Sequence, residues 1–365
     1  MLAAPRSAAF SWIRTAIEVM AAVATGTLST GACVMRTLVT GATGLVGNNV
    51  TRHLVAHGEQ VRVLARPSSD LQTLDGLNVE IILGDITDKS AVRTAVHEVD
   101  RVIHAAGHIH FGRTQHALSH AVNVRGTRYI ARAANEFQVP LVHISTVDAL
   151  GAGKPNQPAD EETSYVPKPR ECAYVRSKRA AEAIVRAEVN RGLCAVIINP
   201  GLMLGPWDWK PSSARMLLSV AQQNPLVAPA GGITVCDIRD VTTAIVAAFE
   251  HGQPGRNYIC AGENITFFTL WQQIADLVGS RRPLMPAGPL MRWVGAAAGD
   301  LVTLVTGREP IVNSASVKMS TLYHYYRYDR ANRELGYDTR PLQESLSDTW
   351  QWLLEHGYTQ PQLST

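Results

Sequence analysis

From residue 36 onward, short apolar runs alternate with longer stretches in which apolar residues recur every three or four positions. "RTLVTG" is a β-branched run that ends at a glycine. The helical spacing of Val46, Val50, Leu54 and Val55 follows it and stops at Gly58. "QVRVLAR" and "VEIILGD" predict the second and third strands, "AVRTAVHEV" a helix, and "RVIHAAG" the fourth strand. "AVNVRGTRYIARAANEF" predicts one long helix, "PLVHISTV" the fifth strand, "AYVRSKRAAEAIVRAEVNRG" a further helix, and "CAVIINPG" the sixth strand. Strands separated by helices pair in parallel through right-handed crossovers. Nearly continuous apolar strands imply a sheet covered on both faces. The expected class is therefore α/β, a doubly wound parallel sheet.

The pattern loosens after Gly201. "GPWDWKPSSARMLLS" mixes Trp, Pro and Ser as a loop leading into a helix does, and "VCDIRDVTTAIVAAFE" returns to strand and helix. Residues 35–201 are expected to form the main domain. Residues 202–356 are expected to form a smaller, mixed substrate-binding region with some strands returning to the sheet, and 357–365 a frayed tail. Residues 1–34 precede "MRTLVTGATG", a natural beginning for such a domain. They read as an upstream extension, disordered or from a misassigned start, with export or membrane targeting as the alternative. "PLMRWVGAAAGDLVTLVTG", Pro289 to Gly307, carries Arg292 and Asp300, so it is too interrupted to span a membrane. It predicts an apolar helix of the smaller domain, with a membrane-surface helix as the alternative, and membrane association is not expected.

Composition narrows the choice. Of 365 residues, 46% are hydrophobic and 18% charged, the balance of a globular protein. A net charge of +3 without basic blocks argues against a nucleic-acid partner. The five cysteines are scattered and form no Cys-x-x-Cys pair, which fits a reducing, cytoplasmic setting without a disulfide framework.

The first candidate chemistry is "LVTGATGLVG". Gly41, Gly44 and Gly47 stand between a predicted strand and a predicted helix. Gly41 permits the tight turn, Gly44 lets backbone approach a pyrophosphate at the helix N-terminus, and Gly47 lets helix and strand pack closely. The expectation sharpens to a Rossmann-type dinucleotide-binding domain. Where an acidic residue would grip a free ribose 2′-hydroxyl, 19 residues after Gly47, the chain has Arg66. A cation there suits a 2′-phosphate, so NADP is expected over NAD, with Asp70 as a residue that would reverse the preference.

The second is "YVRSK". Tyr174 and Lys178, four apart, share one face of a helix about thirty residues after the fifth strand. An adjacent ammonium is expected to draw the phenol down from its ordinary value of about 10, making Tyr174 a proton donor or acceptor. A hydroxyl at the end of the fifth strand, Ser145 or Thr146, would reach the same carbonyl.

At this point the chain resembles the extended short-chain dehydrogenase/reductases, also called the NAD-dependent epimerase/dehydratase family. The resemblance runs from Met35 to about Tyr358. It rests on an ordered set: "TGATGLVG", "GDI" at Gly84–Ile86, "HAAG" at His104–Gly107, "NVRGT" at Asn123–Thr127, "STV" at Ser145–Val147, "YVRSK", and "NPG" at Asn199–Gly201. It implies that Thr43, Leu45 and Val46 join the glycines around the cofactor. Asp85, beside Ile86, would contact the adenine amine, and Ala105 and Ala106 would line the cofactor. Asn123 would brace the active-site helix, and Thr146 matches the catalytic Ser/Thr. Lys178 would also bond the nicotinamide ribose, and Pro200 would lie beside the nicotinamide. "RVLARPSSDLQTLDGLNVEIILGDITD" and "GPWDWKPSSARMLL" look like the dihydroflavonol 4-reductase-like branch, especially the bacterial hopanoid-associated sugar epimerase group.

The expected activity is NAD(P)-dependent oxidoreduction, NADPH-linked reduction of a ketone or aldehyde by Thr146, Tyr174 and Lys178. The alternatives are a nucleotide-sugar epimerase holding NAD tightly, a 3-beta-hydroxysteroid-type dehydrogenase, and a non-catalytic NADP sensor or scaffold. Family dehydratases carry Asp-Glu directly after the catalytic Thr. Here Val147 and Asp148 stand there, which disfavours dehydration. His108 and His110 lack a third residue at zinc-ligand spacing, so no metal is expected. His108, Met203, Trp207, Trp209 and Arg215 are candidate substrate contacts. Trp207 and Trp209 alternatively pack the lobe junction, and Arg215 and Arg239 alternatively form ion pairs. A small carbonyl or alcohol substrate, leaning apolar, and a homodimer through the helices of Asn123 and Tyr174 complete the expectation.

Overall fold

The apolar runs become strands and the periodic stretches become helices. In this computed structural model, residues 35–112, 114–166 and 172–359 are described. The readings of 1–34 and of most of the tail lie outside them. Strands β1 (Arg36–Thr40), β2 (Gln60–Ala65), β3 (Val79–Leu83), β4 (Arg101–His104), β5 (Leu141–Ile144) and β6 (Ala195–Pro200) alternate with helices. The helices are α1 (Leu45–Ala56), α2 (Lys89–Val96), α3 (Thr127–Glu136) and α4 (Ala173–Val189). Strands β7 (Leu202–Leu204) and β8 (Gly232–Asp237) then leave the sheet, and β9 (Asn257–Cys260) returns beside β6. The main sheet is wholly parallel, in the order β9-β6-β5-β4-β1-β2-β3.

Successive residues of each strand face opposite sides. Val39, Val63, Ile103, Val142 and Ile198 pack on Val50 and Leu54 of α1 and on Ile245 of helix Ile238–His251. Their neighbours Leu38, Val102, Leu141 and Ile197 pack on Ile130 and Ala134 of α3 and Val185 of α4. Each fully buried aliphatic side chain contributes about 1.5–3 kcal/mol. Burial on both faces therefore accounts for the apolar runs Leu38–Val39, Val102–Ile103 and Val196–Ile198 in the central strands. β3 departs from the expected cover: it has one neighbour, and Ile81 and Leu83 are exposed. An edge strand with helix on one side leaves its outer face to solvent.

The smaller sheet joins β8 to β7 in parallel and to β10 (Glu263–Thr266) antiparallel, with β11 (Tyr323–His324) on its other side. Helix Phe267–Val278 and the C-terminal helix Leu342–Glu355 cover it through Leu270, Ile274, Leu346 and Leu353. The chain from Arg36 onward is one compact unit.

Two helices differ from expectation. The long helix predicted before β5 contains a π-helical segment, His120–Gly126, that leads directly into α3. Such segments re-aim side chains where a straight helix would not, and Asn123 lies in it. The apolar stretch does form a helix, Pro289–Thr306, yet Gly299 is its single buried residue.

A Cβ on Gly47 would run into the Gly41 carbonyl oxygen and Ala42 Cα, both backbone atoms that cannot step aside. Gly47→Ala is expected to lower thermal stability by about 1–3 kcal/mol despite alanine's better helix propensity. A thermal melt without added cofactor checks this.

Candidate active site

The glycine turn follows β1. Gly41 has φ 76°, in the left-handed region, and a Cβ there would lie 2.6 Å from the Ala106 amide nitrogen. The turn therefore presses against the end of β4, where Ala105 and Ala106 are half-buried. Gly44 begins α1 with no side-chain cap, and the first turn carries no acidic residue. The leading N–H groups of the helix are left for an anion. Thr43 and Val46 are half-buried beside this turn, and Leu45 is buried. Arg66 is exposed directly after β2. Asp85 is half-buried after β3 and accepts from the Thr87 N–H at 2.8 Å. Ile86 packs so closely on Gly126 that a Cβ there would be 2.7 Å from its Cδ1. All of these groups stand at the carboxyl ends of strands, where open parallel sheets bind ligands. An uncapped helix start and a cradle free of side chains fit a dinucleotide pyrophosphate.

Tyr174 and Lys178 sit in the first turns of α4 and are both buried. The Thr146 hydroxyl lies near enough to the Tyr174 phenol to lower its pKa. Ser145 donates its hydroxyl to Glu182 at 2.6 Å, which leaves Thr146 as the candidate hydroxyl beside Tyr174. Asn199 donates to the Thr146 carbonyl at 2.8 Å and to Glu182 at 2.7 Å. Asn123 accepts from the His108 N–H at 2.7 Å and donates to Ser177 at 2.8 Å. It ties the loop after β4 to α4. Pro200 ends β6, fully buried in the sheet.

The electrostatics correct one expectation. Burial, with the Asp148 carboxylate adding to it, pushes the Tyr174 phenol well above its ordinary value, and the Thr146 hydroxyl only partly offsets this. The expected pull of Lys178 is missing because Lys178 Nζ donates to the Ile144 carbonyl at 2.8 Å, away from the phenol. Burial brings Lys178 down to about 8, against the raising effect of Glu182. Gly107 keeps the space above this amine open, since a Cβ there would be 3.3 Å from Nζ.

A cavity of about 230 Å³ adjoins Tyr174. Leu150, Val166, Val175, Met319 and Leu322 give it apolar walls, and Asp148 with His324 gives it a polar end, Nδ1 to carboxylate 2.8 Å. Sequence reasoning missed His324, which lies 176 residues from Asp148 with no motif to mark it. It also missed Glu309, whose carboxylate is bonded by His110 and Thr114 at 2.8 Å each and so braces the loop holding Phe111 edge-on to Tyr174.

The remaining substrate candidates lie elsewhere. Trp207 and Trp209 pack with Trp352 and His356, and Arg52 lies 3.5 Å over the Trp207 ring. They fill the junction under the C-terminal helix and do not line the cavity. Arg215 is exposed and bonds the Pro211 carbonyl, Met203 belongs to β7 against the core, and His108 bonds Gln115 at 2.7 Å. Arg239 pairs with Asp237 and Asp348. Among the described residues no group of three His, Cys, Asp or Glu is placed to hold a metal.

The family model for NAD dependent epimerases and dehydratases matches residues 37–261. The chain belongs to this family. It is 32% identical over 327 residues to sterol demethylase protein B of Methylococcus capsulatus, covering 88% of this chain and 99% of that one. It is 30% identical over 330 residues to a provisionally named dihydroflavonol 4-reductase of Synechocystis sp., covering 89% and 96%. The solved structure of a nucleoside-diphosphate-sugar epimerase from Pseudomonas aeruginosa superposes with TM-score 0.73 at 25% identity, covering 90% of this chain and all of that one. The extended short-chain dehydrogenase/reductase resemblance and the Rossmann-type sheet both stand. As a member of this family the protein is an NAD(P)-dependent enzyme acting on alcohol or carbonyl groups of a small molecule. No described helix is long and apolar enough to cross a membrane.

Between pH 8 and about 10.5 the unfolded chain holds a proton on Lys178 that the cofactor-free folded protein has released. Stability contributed by this group therefore rises with pH across that window. Denaturant melts at pH 7.5 and 10 are expected to show wild type gaining stability relative to Lys178→Met. A constant difference between the two proteins at both pH values would refute the assignment.

Proposed function

We propose that the protein reduces a ketone or aldehyde with NADPH. The observation that carries the reading is the convergence of buried Thr146, Tyr174 and Lys178 at the carboxyl end of the parallel sheet, beside a glycine turn with no side chain in it. A hydroxyl and a phenol so placed are a hydrogen-bond donor and a proton donor for a carbonyl oxygen. When bound, NADPH supplies a hydride to the carbonyl carbon. Thr146 then donates a hydrogen bond to the carbonyl oxygen, and Tyr174 delivers the proton that completes the alcohol. Lys178, half neutral near pH 8, would hold the ribose side of the site. Gly41, Thr43, Gly44, Leu45, Val46 and Gly47 would shape the pyrophosphate cradle, and Asp85, Ile86, Ala105, Ala106 and Pro200 the flanks of the dinucleotide. Asn123 acts as a positioning residue through Ser177 and the His108 backbone.

The apolar walls Leu150, Val166, Val175, Met319 and Leu322 favour an apolar carbonyl compound over a sugar diphosphate, and Lys318 is the one lysine or arginine among the described lining residues. Ala315, Met319, Leu322, His324 and Tyr326 come from the chain after residue 202, which supports that region as the substrate-binding part. The scattered cysteines, with no Cys-x-x-Cys pair in the sequence, support a cytoplasmic protein. A homodimer through α3 and α4 belongs to the same reading, supported by the exposed stripe Arg176, Ala183 and Ala187 on α4.

Epimerisation is the second reading, favoured by the fold likeness to a nucleoside-diphosphate-sugar epimerase. NAD that survives dialysis would support it, and NADP+ released during turnover would support the reductase.

Tyr174→Phe is expected to cut turnover by roughly 10²–10⁴-fold with cofactor affinity retained. Steady-state kinetics on a carbonyl panel tests this, and an unchanged rate removes Tyr174 from its role. Arg66→Asp is expected to shift preference from NADPH toward NADH by about tenfold or more, from loss of the 2′-phosphate's cation. Titration of both cofactors by fluorescence checks it, and an unchanged ratio leaves Arg66 a solvated surface residue.

A further inference from the structure

The helix Pro289–Thr306 is turned inside out. Arg292, Gly295, Ala296, Gly299 and Thr303, one stripe at helical spacing, form its less exposed side, with Gly299 packed on the Val312 backbone. The opposite side presents Leu290, Trp293, Val294, Leu301, Leu304 and Val305 to solvent, with Leu304 82% and Val305 75% exposed. Leu284, Met285, Ile311 and Val312 extend the apolar surface past both ends of the helix. Single exposed apolar residues are ordinary, but a contiguous set on one element marks a contact surface.

The charges around this face point to the occupant. Between residues 281 and 318 the chain carries Arg281, Arg282, Arg292, Arg308 and Lys318 against two acids, Asp300 and Glu309; Arg282 is paired with Asp276, and Arg292 lies on the less exposed side of the helix. Both acids are engaged inward. Asp300 accepts from the Ser314 N–H at 3.0 Å, and Glu309 holds His110 and Thr114. Arg281 and Arg308 are exposed. An apolar face containing a tryptophan and rimmed by cations matches the boundary between acyl chains and anionic headgroups. A second copy is a poor match, since a two-fold contact would set the same cations against each other.

We propose that this face seats the protein on the surface of an anionic bilayer, as a monotopic contact without a span. Sequence reasoning expected no membrane association and kept a membrane-surface helix as the alternative; the exposed face favours that alternative, a mode of attachment that needs no crossing. The chain that follows the helix provides Ala315, Lys318, Met319 and Leu322 to the wall of the cavity beside Tyr174, and Glu309 braces the Phe111 loop. Docking here sets the mouth of an apolar cavity close to the lipid phase.

The test is flotation of the full-length protein with vesicles of phosphatidylcholine, with and without phosphatidylglycerol. Wild type is expected to float with the anionic vesicles and to be released by salt. Leu301→Glu with Leu304→Glu is expected to reduce vesicle binding by roughly tenfold or more, with thermal stability and NAD(P)H binding unchanged. Arg281→Gln and Arg308→Gln are each expected to weaken binding to anionic vesicles about fivefold. The proposal is overturned by wild type that does not float, or by equal flotation of the double glutamate variant, which assigns binding to another segment such as residues 1–34. It is also overturned by a solution dimer that the same variant converts to monomers without any vesicle binding.

Discussion

The buried carboxylate of Glu182 ties the sheet to the helix that carries the catalytic candidates. One oxygen accepts from Ser145 and Asn199, and the other from Arg186 and Asn257. These partners come from the end of β5, from β6, from β9 and from α4 itself. A charge buried this deeply is tolerable only when every acceptor site is filled, and a half-filled network would cost more than an apolar core. The carboxylate thus fixes the register of three strand ends at once. Asn199 passes that constraint on by holding the Thr146 carbonyl, which leaves the Thr146 side chain facing Tyr174.

Around this anchor the site is built from opposing demands. Burial keeps the phenol of Tyr174 protonated and discharges Lys178 toward neutrality, while Glu182 resists the second shift. The cofactor side is kept tight at Gly41, where a side chain would strike the Ala106 backbone, and a side chain at Gly107 would press on the lysine amine. The substrate side is closed by residues distant in sequence, chiefly the Asp148–His324 pair and the apolar wall that follows the outward-facing helix. The same C-terminal segment both shapes the cavity and presents apolar surface to solvent, and Glu309 bonds it to the loop of Phe111.

The local order of elements was legible because strands buried on both faces must be continuously apolar, and the helices between them must repeat at 3.6 residues. The glycine turn and the Tyr174–Lys178 spacing were legible for a similar reason, since each motif is a local solution to a local constraint. The π-helical segment at Asn123 left no such trace, because it is set by packing of Ile86 on Gly126 and by bonds to His108 and Ser177. Trp207 and Trp209 read equally as substrate platforms or as packing, and only their position under Trp352 and His356 decides for packing.

The sequence by itself determined the parallel α/β sheet, the dinucleotide turn and the family, all of which depend on short-range periodicity and spacing. The tertiary structure alone decided that Ser145 bonds Glu182 and that Lys178 bonds a backbone carbonyl in place of the phenol. It also decided that His324 meets Asp148 and that the apolar helix faces outward. Those outcomes depend on which surfaces meet across the fold, and a one-dimensional pattern of polar and apolar positions states that a residue is apolar without stating what covers it.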